Sequence, residues 1–191
     1  MDMSAAIFLG LLTGVALVRL AELRISRRHQ AQLAARGAKK IGDPKFHWMV
    51  LTHAGILLGS AAEVIMLRRP LIPALAATML VLFLAANAVR WWVIRTLGAH
   101  WNVQVVDSTR LGVVTTGPFR FVRHPNYAAV FVEMLALPLI HTAWITALAG
   151  SAAHAFVLAQ RVATEEHVLL ANPEYRAAMS GKPKFLPELF R

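Results

Sequence analysis

Two short stretches carry residue types that can do chemistry in an otherwise apolar chain. The first is Gly117-Pro118-Phe119-Arg120-Phe121-Val122-Arg123-His124-Pro125-Asn126-Tyr127. Gly-Pro is a turn signal, and Pro125 suits the first position of a helix, where its missing N–H costs nothing. His124 then falls at or near the N-cap. The free N–H groups of such a helix start, beside the Arg123 guanidinium, favour a carboxylate or a phosphate. Arg123 is equally what a helix entering a membrane carries at its boundary. The second stretch is Gln160-Arg161-Val162-Ala163-Thr164-Glu165-Glu166-His167. Arg161 and Glu165 are four residues apart and share a helix face. They form either a weak surface salt bridge or a cationic donor and a carboxylate aimed at one reacting centre.

The elements that must position these residues are membrane helices. Of the 191 residues, 57% are hydrophobic, and a formal charge of +10 sits on top of that. A basic nucleic-acid binder needs a soluble fold with a basic face, and the apolar runs leave little chain to build one. The positive charge therefore reads as loops obeying the positive-inside rule. With no cysteine, disulfides, thiolate nucleophiles and Cys-based zinc sites are excluded. The eight histidines are scattered without metal-ligand spacing. The N-terminal apolar run lacks a basic n-region and a clean cleavage site, so it reads as a retained helix rather than a signal peptide.

Crossing a hydrocarbon core takes roughly 20 apolar residues. Residues 4–20, 48–66 and 71–94 meet that requirement, the last two forming a tight hairpin around Arg68-Arg69-Pro70. Residues 126–159 are too long for one helix, and Pro138 with His141-Thr142 divides them into two. The expected fold is an all-α integral membrane protein of about five transmembrane helices. It forms one membrane domain, with N-terminal helices over 1–100 and a catalytic region over 101–191. Residues 24–45, residues 95–123 and the C-terminal tail hold nearly all the Lys and Arg, including Arg27, Arg28, Lys39, Lys40, Lys182 and Lys184. This side is assigned to the cytoplasm, with a cofactor pocket there formed by the C-terminal half. Within the spans, Glu63 is placed to pair with Arg68 or Arg69. Asn87 and Arg90, backed by Trp91 and Trp92, read either as an interfacial belt with a snorkelling Arg or as part of a pocket.

The pattern Gly-Pro-Phe-x-x-x-Arg-His-Pro-x-Tyr, a hydrophobic helical pair and then Arg-x-x-x-Glu-Glu resembles the isoprenylcysteine carboxyl methyltransferase family. The tail Asn172-Pro173-Glu174-Tyr175-Arg176 and Phe185-Leu186-Pro187-Glu188-Leu189-Phe190 is similar to that family's ending. The likeness covers about residues 101–191. It implies an S-adenosylmethionine-dependent methyltransferase, giving S-adenosylhomocysteine as product. Gln104, Leu111, Gly112, Val113, Val114, Phe119, Arg123, His124, Pro125, Asn126 and Tyr127 fall where the family encloses its cofactor, and Glu165 where it approaches it. Arg161 and Glu165 are the implied catalytic residues, with Arg161 orienting the acceptor oxygen. Phe119 stands where the family often has Tyr, so a hydroxyl is lost while stacking on adenine is retained. No metal is implied.

The acceptor implied is a lipophilic small molecule entering from the bilayer, with a carboxylate, phenol or enol as nucleophile. The Ala-rich, compact chain looks bacterial, which favours a polyketide-type phenol or pyrone over a prenylcysteine and implies the inner membrane. Membrane lipids are the other expected partners, with no nucleic acid or protein partner. Three rival readings accompany this one. The first is a phospholipid amine N-methyltransferase. The second is an NADPH-dependent membrane reductase, since sterol reductases carry a similar Arg-His-x-x-Tyr element. The third is a non-enzymatic scaffold whose basic loops bind anionic headgroups.

Overall fold

The computed structural model describes residues 2–42 and 46–187. Lys45 and the tail residues Glu188, Leu189, Phe190 and Arg191, which enter the motifs above, lie outside the described residues. Six helices follow in order: α1 Met3–Ala35, α2 Phe46–Met66, α3 Pro73–Leu97, α4 Pro125–Leu139, α5 Trp144–Leu169 and the short α6 Pro173–Met179. A two-residue antiparallel pair, β1 Lys39–Lys40 with β2 Val106–Asp107, joins two loops at the charge-rich end.

The expectation of five spans does not hold. Among the described residues three helices, α1, α2 and α3, are long and apolar enough to cross a membrane. Helix α4 has 15 residues, short of the roughly 20 that a crossing takes. Helix α5 has 26 residues, but Ser151, His154, Gln160 and Arg161 dilute its apolar run. The break between α4 and α5 falls at residues 140–143, just after Pro138 and at His141-Thr142. Contacts of His29 with Trp101, of Tyr127 with Arg161 and of Met49 with the Tyr127 and Leu158 cluster hold the ends of α1, α3 and α5 and the starts of α2 and α4 at one end of the bundle. The candidate spans face outward: only 22% of each apolar window is buried, and Ile7, Leu17, Leu58 and Val81 are exposed, as lipid contact requires.

The charge-rich segment expected as a loop from Arg24 onward is helical as far as Ala35. α1 continues to Ala35 and ends in a Schellman cap, with Gly37 N–H bonding Ala34 O and Ala38 N–H bonding Leu33 O, both at 3.0 Å. Gly37 has φ +84°, a conformation that disfavours a side chain.

Helix α3 packs on α4, α4 on α5, and α5 on α2. The α2–α5 seam depends on small residues: a Cβ on Gly150 would come within 2.6 Å of Ile56, and one on Gly59 within 3.2 Å of Thr146. Phe8, Leu12, Val64, Phe83, Leu137 and Ile140 close the end away from the basic loops. There Glu63 pairs with Arg69 (Nη2 to Oε1, 2.8 Å), as its position suggested. Its carboxylate also accepts from Ile145 N–H (3.1 Å), Thr146 N–H (2.7 Å) and Thr146 Oγ1 (2.8 Å). Glu63 on α2 thus supplies the N-terminal cap that α5 lacks in its own sequence. Glu63→Ala is expected to lower stability by about 1 to 2 kcal/mol, read as a lower Tm in detergent by circular dichroism. Glu63→Gln should recover part of the loss.

Candidate functional site

Helix α4 starts where the sequence indicated. Thr116 leads into a 3₁₀ turn, Gly117–Arg120, and Gly117 has φ +57°. A Cβ on Gly117 would run into the Thr96 side chain, so this turn sits directly on α3. His124 is the N-cap and Pro125 the first helical residue. The His124 side chain makes no cap; its Nε2 lies 3.2 Å from Glu166 Oε1 and donates to that carboxylate.

Glu166 gathers further partners. Arg123 Nη1 lies 3.3 Å from Oε1 and Lys184 Nζ 2.8 Å from Oε2. The backbone N–H groups of Arg123 and His124 donate to Pro183 O (2.9 Å) and Lys184 O (2.8 Å), and Lys182 Nζ donates to Phe119 O (2.7 Å). The C-terminal strap is therefore stitched onto the start of α4. Burial opposes ionisation of Glu166, but the hydrogen bonds from Lys184 and His124 and the Arg123 charge hold its carboxyl below the ordinary 4.5.

The Tyr127 hydroxyl donates to Glu165 Oε2 and accepts from Arg161 Nε at 2.9 Å. Arg161 Nη2 donates to the Val103 carbonyl, fixing a buried guanidinium. Burial, and then the Glu165 charge, push the Tyr127 phenol well above its usual value, so it stays a proton donor at neutral pH. Tyr127 was expected among the residues enclosing the cofactor; its phenol also links the two residues read as catalytic.

These side chains face a cavity of about 380 Å³, within the range of small-ligand sites. Phe119, Arg123, His124, Pro125, Asn126, Tyr127, Arg161 and Glu165 all line it. Gln104, Leu111, Gly112, Val113 and Val114 do not: Val113 and Val114 pack against the Val93, Phe119 and Tyr175 cluster beside it. The expectation of a pocket made by the C-terminal half is also corrected, because α1 contributes Ala16, Leu20 and Leu23, and α2 contributes Met49, Ala54 and Leu57. Helices α4 and α5 each present one face and cannot close a cavity alone.

Three charged residues, Arg19, Glu22 and Arg90, complete the wall, and Glu133 pairs with Arg19 behind it. Arg90 does not snorkel: it is buried and donates to Glu22 of α1 through Nε (3.2 Å) and Nη2 (2.5 Å). Arg19 pairs with Glu22 (2.7 Å) and with Glu133 of α4. Sequence reasoning passed over Arg19, Glu22 and Glu133. Their signal was present as ionisable residues inside or at the end of apolar helices, where pairing is required. His53 and His154, which also line the cavity, were missed as well, since one histidine on each of two helices makes no local motif.

The fold and cavity define a helical membrane protein with a ligand site where its helices meet the charge-rich loops. Residues 79–171 match the isoprenylcysteine carboxyl methyltransferase (ICMT) family, so this segment is similar to that family's methyltransferase domain. That match implies S-adenosylmethionine-dependent methyltransferase activity. The chain is also similar to the uncharacterized protein YpbQ of Bacillus subtilis (strain 168), 29% identical over 79% of this chain and 89% of that one. An uncharacterized protein of Haemophilus influenzae is 27% identical over 80% of this chain and 88% of its own length. The nickel-cobalt-cadmium resistance protein NccN of Alcaligenes xylosoxydans is 29% identical over 49% of this chain and 45% of its own. Among the described residues no cluster of three or more His, Asp or Glu could hold a metal.

Two outcomes follow from the charged contacts. Glu133→Leu leaves Arg19 half-paired in an apolar interior and should cost about 3 to 5 kcal/mol, whereas Arg19→Met with Glu133→Leu should be less destabilised than Glu133→Leu alone. Chemical denaturation in detergent compares them. Because the folded Glu166 carboxyl titrates below 4.5, its contribution is complete above that pH and is lost as pH falls through the lower folded value. Limited proteolysis at Lys182 and Lys184 should therefore accelerate in that acidic window, and not in Glu166→Gln, whose strap is loose throughout.

Proposed function

We propose that the protein transfers the methyl group of S-adenosylmethionine to an oxygen of a lipophilic acceptor drawn from the bilayer. The observation that carries this reading is the single cavity in which the Arg161–Tyr127–Glu165 linkage and the α4 start face a wall of apolar side chains from α1 and α2. The residues at the mouth fit the cofactor. Asn126 Oδ1 and Arg123 Nε are buried without hydrogen-bond partners among the described residues, one an acceptor for an amino or hydroxyl group, the other a donor for a carboxylate. Phe119 offers an aromatic face, and the α4 start offers backbone N–H groups. Gln104 and Leu111–Val114 would back this seat from outside the cavity wall.

S-adenosylmethionine, when bound, supplies a methyl carbon activated by a sulfonium and leaves as S-adenosylhomocysteine. The chain's contribution is alignment in a water-poor space. Arg161, held by Tyr127 and the Val103 carbonyl, presents its cationic edge to the acceptor oxygen. Tyr127 stays protonated and donates to Glu165, orienting a carboxylate that would face the positive centre of the cofactor. A carboxylate acceptor needs no base, while a phenol or enol can give its proton to Glu165. The excess of Lys and Arg at this end of the bundle supports a cytoplasmic entrance for the cofactor, and the outward-facing apolar helices support entry of the acceptor from lipid.

Calorimetry on detergent-purified protein tests the cofactor assignment. Saturable S-adenosylmethionine binding is expected, weakened about 10- to 100-fold by Glu165→Gln or Asn126→Leu. Tyr127→Phe should bind the cofactor within a few-fold of wild type yet lose most transfer to a long-chain phenol. Folded wild type that binds NADPH and no S-adenosylmethionine would overturn the reading.

A further inference from the structure

His154, Leu158, Arg161 and Glu165 recur at spacings of four, three and four residues and all line the cavity, so one face of α5 runs along it. At the rise of an α-helix, His154 lies about 10 Å along the axis from Arg161. It has no exposed surface, and neither ring nitrogen has a hydrogen-bond partner among the described residues. Its neighbours are rings. His53 of α2 stands edge-on with centroids 5.0 Å apart, and Phe131 of α4 stacks at 6.4 Å.

The protonation pattern of His53 follows from its contact. Its Nδ1 lies 2.7 Å from the Met49 carbonyl, and a carbonyl only accepts, so Nδ1 carries the proton and Nε2 of the neutral ring is an acceptor. An imidazole with both nitrogens buried and unpaired is destabilising for the empty fold. A bound group that both donates and accepts would remove that cost. The nearby Arg19, Glu22, Arg90 and Glu133 balance two positive charges against two negative ones, so this part of the cavity attracts neither an anion nor a cation strongly.

We propose that His154 and His53 form a second polar subsite that takes an uncharged hydroxyl of the acceptor, two helical turns from the transfer centre. The proposal rests on the methyltransferase reading for the name of the ligand, and on the cavity alone for the subsite. The acceptor class it defines is a lipophilic molecule with two oxygen functions about 10 Å apart, one methylated beside Arg161 and one held by the histidines. A site built to bond a hydroxyl rejects the analogue that lacks it, because its own polar groups are then left unpaired.

Binding of two probes, 4-(3-hydroxydodecyl)phenol and 4-dodecylphenol, to detergent-purified full-length protein tests this by calorimetry without cofactor. Wild type should bind the hydroxylated probe about 10-fold or more tightly than its partner. His154→Leu should bring the two within about 2-fold, with S-adenosylmethionine binding unchanged and a Tm no lower than wild type. His53→Leu is the second variant, expected to reduce the preference if His154→Leu does not fold. Equal binding of both probes by wild type, or a preference that survives both substitutions, overturns the subsite. A histidine-dependent preference without methyl transfer to either probe supports the subsite and counts against the transferase reading. Transfer to both probes with equal affinity does the reverse.

Discussion

An ionised side chain inside an apolar bundle must find its counter-charge there, and Arg19 finds two. By holding Glu22 on its own helix and Glu133 on α4, while Glu22 also receives Arg90 from α3, it joins three helices that apolar contact alone would leave free to slide. In a lipid-like surrounding no gain from excluding water drives helices together, so such contacts decide the arrangement. The cavity is what remains on the side of α1 that these charges hold open. Its Arg-lined floor, its apolar flank on α2 and its polar mouth all follow from where α1 is anchored.

The mouth is organised by sharing. Tyr127 belongs to the start of α4, yet its hydroxyl serves two residues of α5. Glu166, the next residue on α5 after one of them, turns to the opposite task of binding Arg123, His124 and the strap. Adjacent carboxylates thus face different partners, as a helix requires of consecutive positions. One is directed into the cavity and the other toward the chain that covers it.

Local features of the fold were legible in the sequence and tertiary ones were not. The start of α4 at Pro125, the limits of α2 and α3 and the break before α5 all follow from proline placement and apolar runs, which act over a few residues. The length of α1 was hidden because its last turns are charged and helical at once, and only Gly37 marks the end. The span count went wrong because length was judged without weighing Ser151, His154, Gln160 and Arg161 against the apolar residues of α5. At the site, Arg161 and Glu165 were legible as a pair on one face. The Tyr127 bridge joins residues 34 and 38 positions apart, and the Arg90–Glu22 pair spans 68. No pattern of spacing announces a contact at such separations.

The walls of the cavity come from two stretches of the chain, one inside the matched family segment and one before it. The family match begins at residue 79, whereas α1 and α2, which supply much of the apolar wall, end before it. The Arg161–Tyr127–Glu165 linkage and the apolar side chains of α1 and α2 that share its cavity therefore lie in separate blocks of the polypeptide. Substitutions in α1 and α2 can thus change the apolar wall while leaving Arg161, Tyr127 and Glu165 as they are. The family match is accordingly a statement about the α3, α4 and α5 side of the cavity. The opposite side is set by the helices that come before the matched segment.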